Sequence, residues 1–349
     1  MYQNYFQNKQ ILITGGTGSI GSSILQELLP FKPKSIKIYS RDEYKQYQLK
    51  FKYQKIKNVK IDYLLGDIRD YDSLIAASEN VDILYHCAAY KHVPQSEKMP
   101  EEFIKTNVYG SINVKRAALV NKIKTVVSIS SDKAVEPTNV MGLTKALQEK
   151  LFNAHYFNSQ TIKQRFINVR FGNVIGTKGS LFPILYHQIV NKLPLTITDS
   201  DMTRFFMTQK QAIDLIFWAT INAKDGDTVI KKMKSAKLSL LIRLFLQASN
   251  MDKNYPKQTI GMRVGEKMHE SLINQDEIFR IKELGIFYLI KPYSSKEIQQ
   301  NILKVNPEDQ ASLLDKFSSR NSQNYFKSEE LLLLINQYIQ TVKNNNQIL

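Results

Sequence analysis

Three glycines, Gly15, Gly18 and Gly21, stand three apart, directly behind the apolar run ILIT and directly ahead of a stretch with helical periodicity. Each suits a separate task in holding a pyrophosphate. The first permits a tight turn, the second lets the backbone approach the anion, and the third lets helix and strand pack closely while helix N–H groups face the charge. Between a first strand and a first helix, this spacing predicts a dinucleotide site built from Thr14, Gly15, Thr17, Gly18, Ser19, Ile20 and Gly21 rather than a surface turn. The residues that read the ribose should follow the second strand, and there the chain reads Tyr39-Ser40-Arg41-Asp42. A carboxylate right after the strand would repel a 2′-phosphate, whereas Ser40 offers a hydroxyl and Arg41 a forked cation. NADP is therefore expected over NAD. The competing reading makes Arg41 a surface residue and Asp42 a helix cap that takes the ribose hydroxyl. Asp67, with Ile68 beside it after the third strand, is placed to border an adenine.

These residues need a scaffold, and the first half of the chain supplies one. Short β-branched runs at Gln10–Thr14, Ser35–Tyr39, Val59–Leu64, Ile83–His86, Thr125–Ser130 and Phe166–Phe171 alternate with amphipathic segments. The runs are continuously apolar, as expected when both faces of a sheet are covered. Crossover helices are expected after Gly18 and over Asp42–Lys55, Asp70–Glu79, Glu97–Asn121 and Asn139–Asn158. Right-handed crossovers then give an α/β fold, a doubly wound parallel sheet of the Rossmann type, with ligands at the carboxyl ends of the strands. After Gly172 the alternation loosens. The boundaries expected are a dinucleotide-binding domain over 1–172, to which 205–233 returns, a smaller mixed α/β substrate domain from 173–204 and 234–290, and a C-terminal extension over 291–349. That tail keeps one helical apolar run, Leu331 to Ile339.

Composition narrows the class. With 349 residues, 43% hydrophobic and 23% charged, the chain is long enough for a sizeable core and is not disordered. The lone cysteine, Cys87, excludes an internal disulfide framework and a cysteine-based zinc site. The five histidines show no paired-ligand spacing, so no metal is indicated. The amino terminus has no apolar core segment, and the greasiest stretch, Leu238–Leu246, is cut by Arg243. A soluble, cytoplasmic protein is expected, with no membrane partner. A net charge of +16 is spread over dispersed lysines without a nucleic-acid signature, so a nucleic-acid partner is not expected.

The remaining motifs carry a resemblance. The segments SRDE (40–43), AAYKHVP (88–94), SSDKAVEPTNVMGLTK (130–145), VRFGNVIGTKGSLFP (169–183), TDSDMTRFFMT (198–208) and GMRVGEK (261–267) resemble the extended short-chain dehydrogenase/reductases. More closely, they resemble the nucleotide-sugar 4,6-dehydratases of the polysaccharide-biosynthesis family that act on UDP-N-acetylglucosamine. The resemblance reaches to about residue 285. It implies that Ala88 and Ala89 join the cofactor site, that Lys145 holds the nicotinamide ribose, and that Ser131 hydrogen-bonds the sugar oxygen at C4. Where the wider superfamily has a tyrosine, this chain has Met141, which has no proton to exchange. A methionine here also resembles a subgroup of these dehydratases; the competing reading is a nucleotide-binding protein that has lost its chemistry.

Oxidising a hydroxyl at C4 requires a base, for which Asp132 is the candidate in the absence of the phenol. The ketone acidifies the hydrogen at C5, and a lysine with a lowered pKa can remove it; Lys133 fits that role. A protonated Asp132 would then assist departure of the C6 hydroxyl. For the UDP-sugar, the resemblance implies Arg204 and Arg263 at the diphosphate, Glu266 at the uridine ribose, and Asn173, Gly179 and Ser180 at the diphosphate or base, with Lys91 also near the pocket. Asn107 is either an active-site residue or a structural tie. TITDSDMTRF resembles short members that invert C5. Relatives pair through the helices at 97–121 and 139–158, which implies a homo-oligomer.

Overall fold

The apolar runs pair as their composition asks. The computed structural model describes residues 2–154, 164–292 and 307–344. The runs become β1 (Gln10–Thr14), β2 (Ser35–Ser40), β3 (Lys60–Leu65), β4 (Ile83–His86), β5 (Thr125–Ile129) and β6 (Arg165–Arg170). These six lie parallel in the order β3-β2-β1-β4-β5-β6. The order reverses between β1 and β4, which is where a doubly wound sheet opens a crevice for ligands. Ile11, Leu12, Ile13, Leu84, Tyr85, Val126 and Val127 are buried along successive positions, so both sheet faces are covered.

Beyond β6 the chain leaves the sheet and returns. β7 (Asn173–Val174), β8 (Leu195–Ile197) and β9 (Thr203–Met207) stand apart, and β10 (Thr228–Lys231) comes back parallel to β6. β11 (Lys234–Lys237) joins β9 and β7 in a three-stranded sheet, while β12 (Lys257–Thr259) pairs with β8. The hairpin of β13 (Ile281–Leu284) and β14 (Phe287–Ile290) then adds antiparallel to β10. Residues 281–290 thus belong with the nine-stranded sheet, not with the substrate domain to which the sequence assigned them. The reason is edge protection: Phe287, Tyr288, Leu289 and Ile290 are all buried, and Phe287 stacks on Trp218 at 4.2 Å.

The helices are α1 (Tyr2–Phe6), α2 (Ser19–Leu28), α3 (Glu43–Tyr53), α4 (Tyr71–Ala77), α5 (Val93–Lys98), α6 (Pro100–Phe103), α7 (Gly110–Val120), α8 (Val140–Asn153), α9 (Leu181–Val190), α10 (Gln209–Asn222) and α11 (Leu238–Ala248). The single helix expected over 97–121 is broken. Pro100 has no N–H and holds Met99 at φ −134°, ψ 59°, so α5 stops; a π-helical turn at Ile104–Tyr109 precedes α7. α8 ends at Asn153; the rest of the helix expected to Asn158 lies, from residue 155, outside the described residues. In the tail, a helix at Ser328–Asn344 buries Leu331, Ile335 and Ile339, one turn apart, in a second core shared with Leu241 and Phe245 of α11. Among the described residues no helix is long and apolar enough to cross a membrane.

Candidate active site

At the β1 turn, Gly15 takes φ +64°, and a Cβ there would lie 2.7 Å from the Ala88 backbone. A Cβ on Gly21 would lie 2.5 Å from the Gly15 carbonyl oxygen, so this glycine seats α2 on the turn. Side chains of Asp42, Asp70, Asn139 and Thr208 cap α3, α4, α8 and α10, whereas α2 begins at Gly18 with no capping side chain. Its positive end therefore opens beside a cleft of about 260 Å³ lined by Gly15, Thr17, Gly18, Ser40, Arg41, Asp67, Ile68, Ala88 and Ala89. Glycine backbone, an uncapped helix start and a rim cation fit a dinucleotide pyrophosphate and ribose.

Five of the residues expected at the cofactor do not line that cleft. Thr14 is buried with its hydroxyl 2.9 Å from His86 Nδ1. Ser111 Oγ donates to the Asn107 carbonyl at 2.6 Å and so accepts from His86 Nε2, which leaves Thr14 as the donor to Nδ1. Burial, with Lys145 nearby, pushes the His86 pKa down to about 3, and His86 is a core residue. Ile20 packs on the core, Gly21 supports the turn, and Ser19 accepts the Lys178 N–H at 3.2 Å. Lys145 is buried, donating to the Ile129 carbonyl at 2.6 Å and Gln148 Oε1 at 2.8 Å; burial lowers its pKa to about 8.

Two residues missed in the sequence shape the Asp67 end of this cleft. Arg69 donates its backbone N–H, Nε and Nη2 to Asp67 at 3.0, 3.0 and 2.7 Å. Burial pushes the Asp67 carboxyl up, but Arg69, with help from Arg41, holds it below its ordinary value. Tyr90 receives the Arg41 guanidinium over its ring at 4.7 Å, which places Arg41 on the cleft wall 3.8 Å from Asp67. The signal for Arg69 was its position two residues beyond Asp67, and for Tyr90 its place in AAYKHVP (88–94), between residues already expected at the site. Asp42 is the N-cap of α3, accepting from the Lys45 N–H at 2.9 Å.

After β5 the chain makes a 3₁₀ turn at Asp132–Ala134, with Ser131 Oγ accepting the Lys133 N–H at 3.3 Å. Successive side chains on such a turn point about 120° apart. Asp132 consequently points inward, fully buried, while Lys133 reaches the neighbouring cleft. This corrects the expectation that Asp132 itself meets the sugar: its carboxylate lies behind Lys133. Oδ1 of Asp132 accepts from Ser131 Oγ and from Lys133 Nζ, each at 3.0 Å, and Oδ2 is buried with no hydrogen-bond partner. Lys133 Nζ also lies 3.6 Å from Oε1 of Glu270, a residue the sequence gave no reason to single out. The expected lowering of the Lys133 pKa is reversed. Burial does pull it down, but the Asp132 and Glu270 carboxylates outweigh burial and Arg204, and hold it above its ordinary value. Met141 is buried in the first turn of α8, and neither it nor Ser131 lines the cleft.

That second cleft, of about 240 Å³, brings together all seven residues expected at the substrate: Lys91, Asn173, Gly179, Ser180, Arg204, Arg263 and Glu266. It adjoins the first, since Tyr90 lines one and Lys91 the other. Gly179 takes φ +70°, and a Cβ there would sit 2.4 Å from the His92 ring, so the close approach it allows is to His92. Ser180 begins α9 without capping it, its hydroxyl donating instead to the Thr177 carbonyl at 2.7 Å. Arg204 is buried and donates Nη1 to the Thr203 and Met268 carbonyls at 2.8 and 3.1 Å. Arg263 is exposed, and its backbone N–H donates to Glu266 Oε2 at 3.1 Å. The loop that carries both is pinned, as Thr138 Oγ1 and Asn139 Nδ2 donate to the Gly265 carbonyl at 2.9 and 2.8 Å and Lys267 Nζ donates to that of Val135 at 2.6 Å. Asn107 is a tie: its amide clasps the Tyr90 backbone at 2.8 and 3.0 Å and donates to Thr144 at 3.0 Å.

The fold is of the Rossmann type, a doubly wound parallel sheet with two adjoining clefts. Comparison with known proteins gives the family. The chain belongs to the polysaccharide biosynthesis protein family, whose pattern matches residues 11–292. A UDP-glucose 4-epimerase of Rickettsia bellii is 38% identical over 345 residues, 97% of this chain and 99% of its own. An uncharacterized membrane protein of Methanocaldococcus jannaschii is 39% identical over 90% of this chain and 94% of its own. The crystal structure of Pen from Bacillus thuringiensis is 37% identical, with a TM-score of 0.85 over 96% of this chain and 99% of its own.

Proposed function

We propose that the protein is an NADP-dependent dehydratase that converts UDP-N-acetylglucosamine to a UDP-4-keto-6-deoxy sugar for a surface glycan, with inversion at C5. The observation that carries this reading is the Lys133 ammonium, 3.0 Å from a buried Asp132 and 3.6 Å from a buried Glu270, at a cleft that adjoins the dinucleotide cleft. Arg41, on the wall of that cleft and stacked on Tyr90, supports NADP. The name of the family supports the glycan role, and the resemblance of TITDSDMTRF to short inverting members supports the stereochemistry. Exposed Tyr109, Val120, Leu143 and Leu147 on and beside α7 and α8 support a homo-oligomer formed through those helices.

A bound nicotinamide supplies a place for the hydride from C4 and returns it at C6, with no net oxidation. The protein's part is to move protons. Passing the Lys133 proton to Asp132 Oδ1 over 3.0 Å leaves a neutral amine facing the sugar and a carboxylic acid behind it. The 4-hydroxyl gives its proton to solvent as the hydride departs, that amine takes the proton from C5, and a solvent proton leaves with the C6 hydroxyl as water. For inversion, C5 takes a solvent proton on its opposite face while Lys133 gives up the one it removed, so the atoms balance. Ser131 tethers Asp132 at 3.0 Å, and Lys145 brings a second positive charge to the end of β5.

A second reading, a UDP-sugar 4-epimerase, is favoured by the name of the Rickettsia bellii relative. Epimerisation at C4 exchanges a proton only at that oxygen, and a buried carboxylate pair around a lysine exceeds this need. Incubation with UDP-N-acetylglucosamine separates the two: a product lighter by one water supports the dehydratase, and an isomer of unchanged mass overturns it in favour of the epimerase. Recovery of unchanged sugar with the dinucleotide still bound would indicate a protein without chemistry.

A further inference from the structure

The C-terminal segment has no part in the reaction above, yet it grips the residue that faces Lys133. Glu270 is 3% exposed; its N–H donates to Ser319 Oγ at 2.8 Å, and its carbonyl accepts the Ser319 N–H at 2.8 Å. Ser319 is fully buried, and its hydroxyl also lies 2.7 Å from Thr203 Oγ1, beside Arg204. The Glu270 side chain is far less satisfied than its backbone. Oε1 lies 3.6 Å from Lys133 Nζ and 3.9 Å from Arg204 Nε, and Oε2 is buried without a hydrogen-bond partner. A buried carboxylate left in this state costs stability, so its retention at the wall of a cleft points to a task there.

We propose that Glu270 is a positioning residue for the reaction: it holds the Lys133 ammonium from across the cleft, opposite Asp132, and sets how readily that lysine releases its proton, while Ser319 of the C-terminal segment fixes Glu270 in place. The inference rests on Lys133 as the proton-moving group of the proposed dehydratase. The charged groups that face Lys133 are Asp132 on its own turn, Glu270 and Arg204 from the substrate side, and Lys91 beyond β4. The two carboxylates favour the ammonium and the two cations oppose it. Taking away the Glu270 charge therefore makes Lys133 easier to deprotonate.

The test uses the full chain and trace acetylation with an N-hydroxysuccinimide acetate, which reacts only with neutral amines, read at Lys133 by peptide mass spectrometry over a pH series. Lys60, on β3, serves as the internal reference. In Glu270→Gln, Lys133 is expected to label about tenfold faster than in the unaltered protein at a pH below its midpoint. Glu270→Asp should restore most of the difference, and Ser319→Ala should give a smaller change in the same direction. The acid-side limb of kcat/KM should move to lower pH by the same interval. Unchanged Lys133 labelling in a folded Glu270→Gln protein overturns the proposal. So does faster labelling with an unmoved limb, which reduces Glu270 to a structural ion pair. Failure of the unaltered protein to release a lighter product overturns the reaction itself, and this is seen without any variant.

Discussion

Arg170, buried, and Lys133, part-buried, are both cations set between two carboxylates, and they are satisfied to opposite degrees. Arg170 donates Nε and Nη2 to Glu149 at 2.9 and 2.5 Å, Nη1 and Nη2 to Glu277 at 2.8 and 2.7 Å, and Nη1 also to the Leu272 carbonyl at 2.8 Å. Ser130 adds a further hydrogen bond to Glu149 at 2.5 Å. Around Lys133, by contrast, one oxygen of Asp132 and one of Glu270 lack partners, and the lysine side chain is 23% exposed. A saturated network of this kind ties β6, α8 and the segment after Glu270 into one piece. The unsaturated network at the cleft keeps polar capacity in reserve for a ligand, at some expense in stability.

The strongest challenge to this contrast is Arg170→Met. It strands two buried carboxylates, and urea denaturation should show a loss of about 3–5 kcal/mol. A loss under about 1 kcal/mol would mean the network is not structural. Lys133→Met should do the reverse, lowering kcat by about a thousandfold or more while the denaturation free energy moves by much less than in Arg170→Met. Asp132→Asn should lower kcat by about a hundredfold or more and cost less stability than Arg170→Met, because Glu270 still faces the lysine. Full activity in either site variant would erase the distinction.

The two clusters should also fail at opposite ends of the pH scale. Burial pushes the Glu277 carboxyl up, but Arg170 outweighs it and holds the group below 4.5. Its contribution is present above that ordinary value and is lost as pH falls through the lower, folded one. His86, at about 3 against 6.5 in the unfolded chain, adds to the loss as pH drops below 6.5. Lys133 is raised above 10.5, so its contribution is complete below 10.5 and disappears as pH rises through the folded value. Urea midpoints taken across pH should therefore fall on both sides, and Glu277→Gln should flatten only the acid side. The smallest effect expected is at Arg41, whose side chain is 48% exposed. Arg41→Ala should weaken NADP binding about tenfold by titration and leave the urea midpoint in place.

Most of the sheet was legible because β1 to β6 are local apolar runs between turn signals, and a parallel sheet asks for little else. The glycine turn was legible for the same reason: its spacing is a backbone requirement written within seven residues. Glu270 was not, because its relation to Lys133, 137 positions away, exists only after the chain between them has folded, and a lone glutamate carries no local mark. Adjacent Asp132 and Lys133 read as equivalent on paper; only the turn decides that one faces inward and the other outward. The break at Pro100 was visible in the sequence but lay within a long amphipathic pattern that outweighed it. The hairpin at 281–290 was misassigned because edge strands share the composition of any short apolar run.

Asn139 uses both ends of one amide. Its oxygen caps α8 by accepting the Gly142 N–H at 2.8 Å, and its nitrogen holds the Gly265 carbonyl, also at 2.8 Å. Drawing the loop at 261–267 away from α8 would rupture the Thr138 and Asn139 bonds to Gly265 together with the Lys267 link to Val135, so this wall of the cleft is tied to the start of α8. Ile260, Met262 and Val264 on and beside the same loop are exposed, Val264 at 78%, which leaves an apolar rim on a wall fixed from beneath.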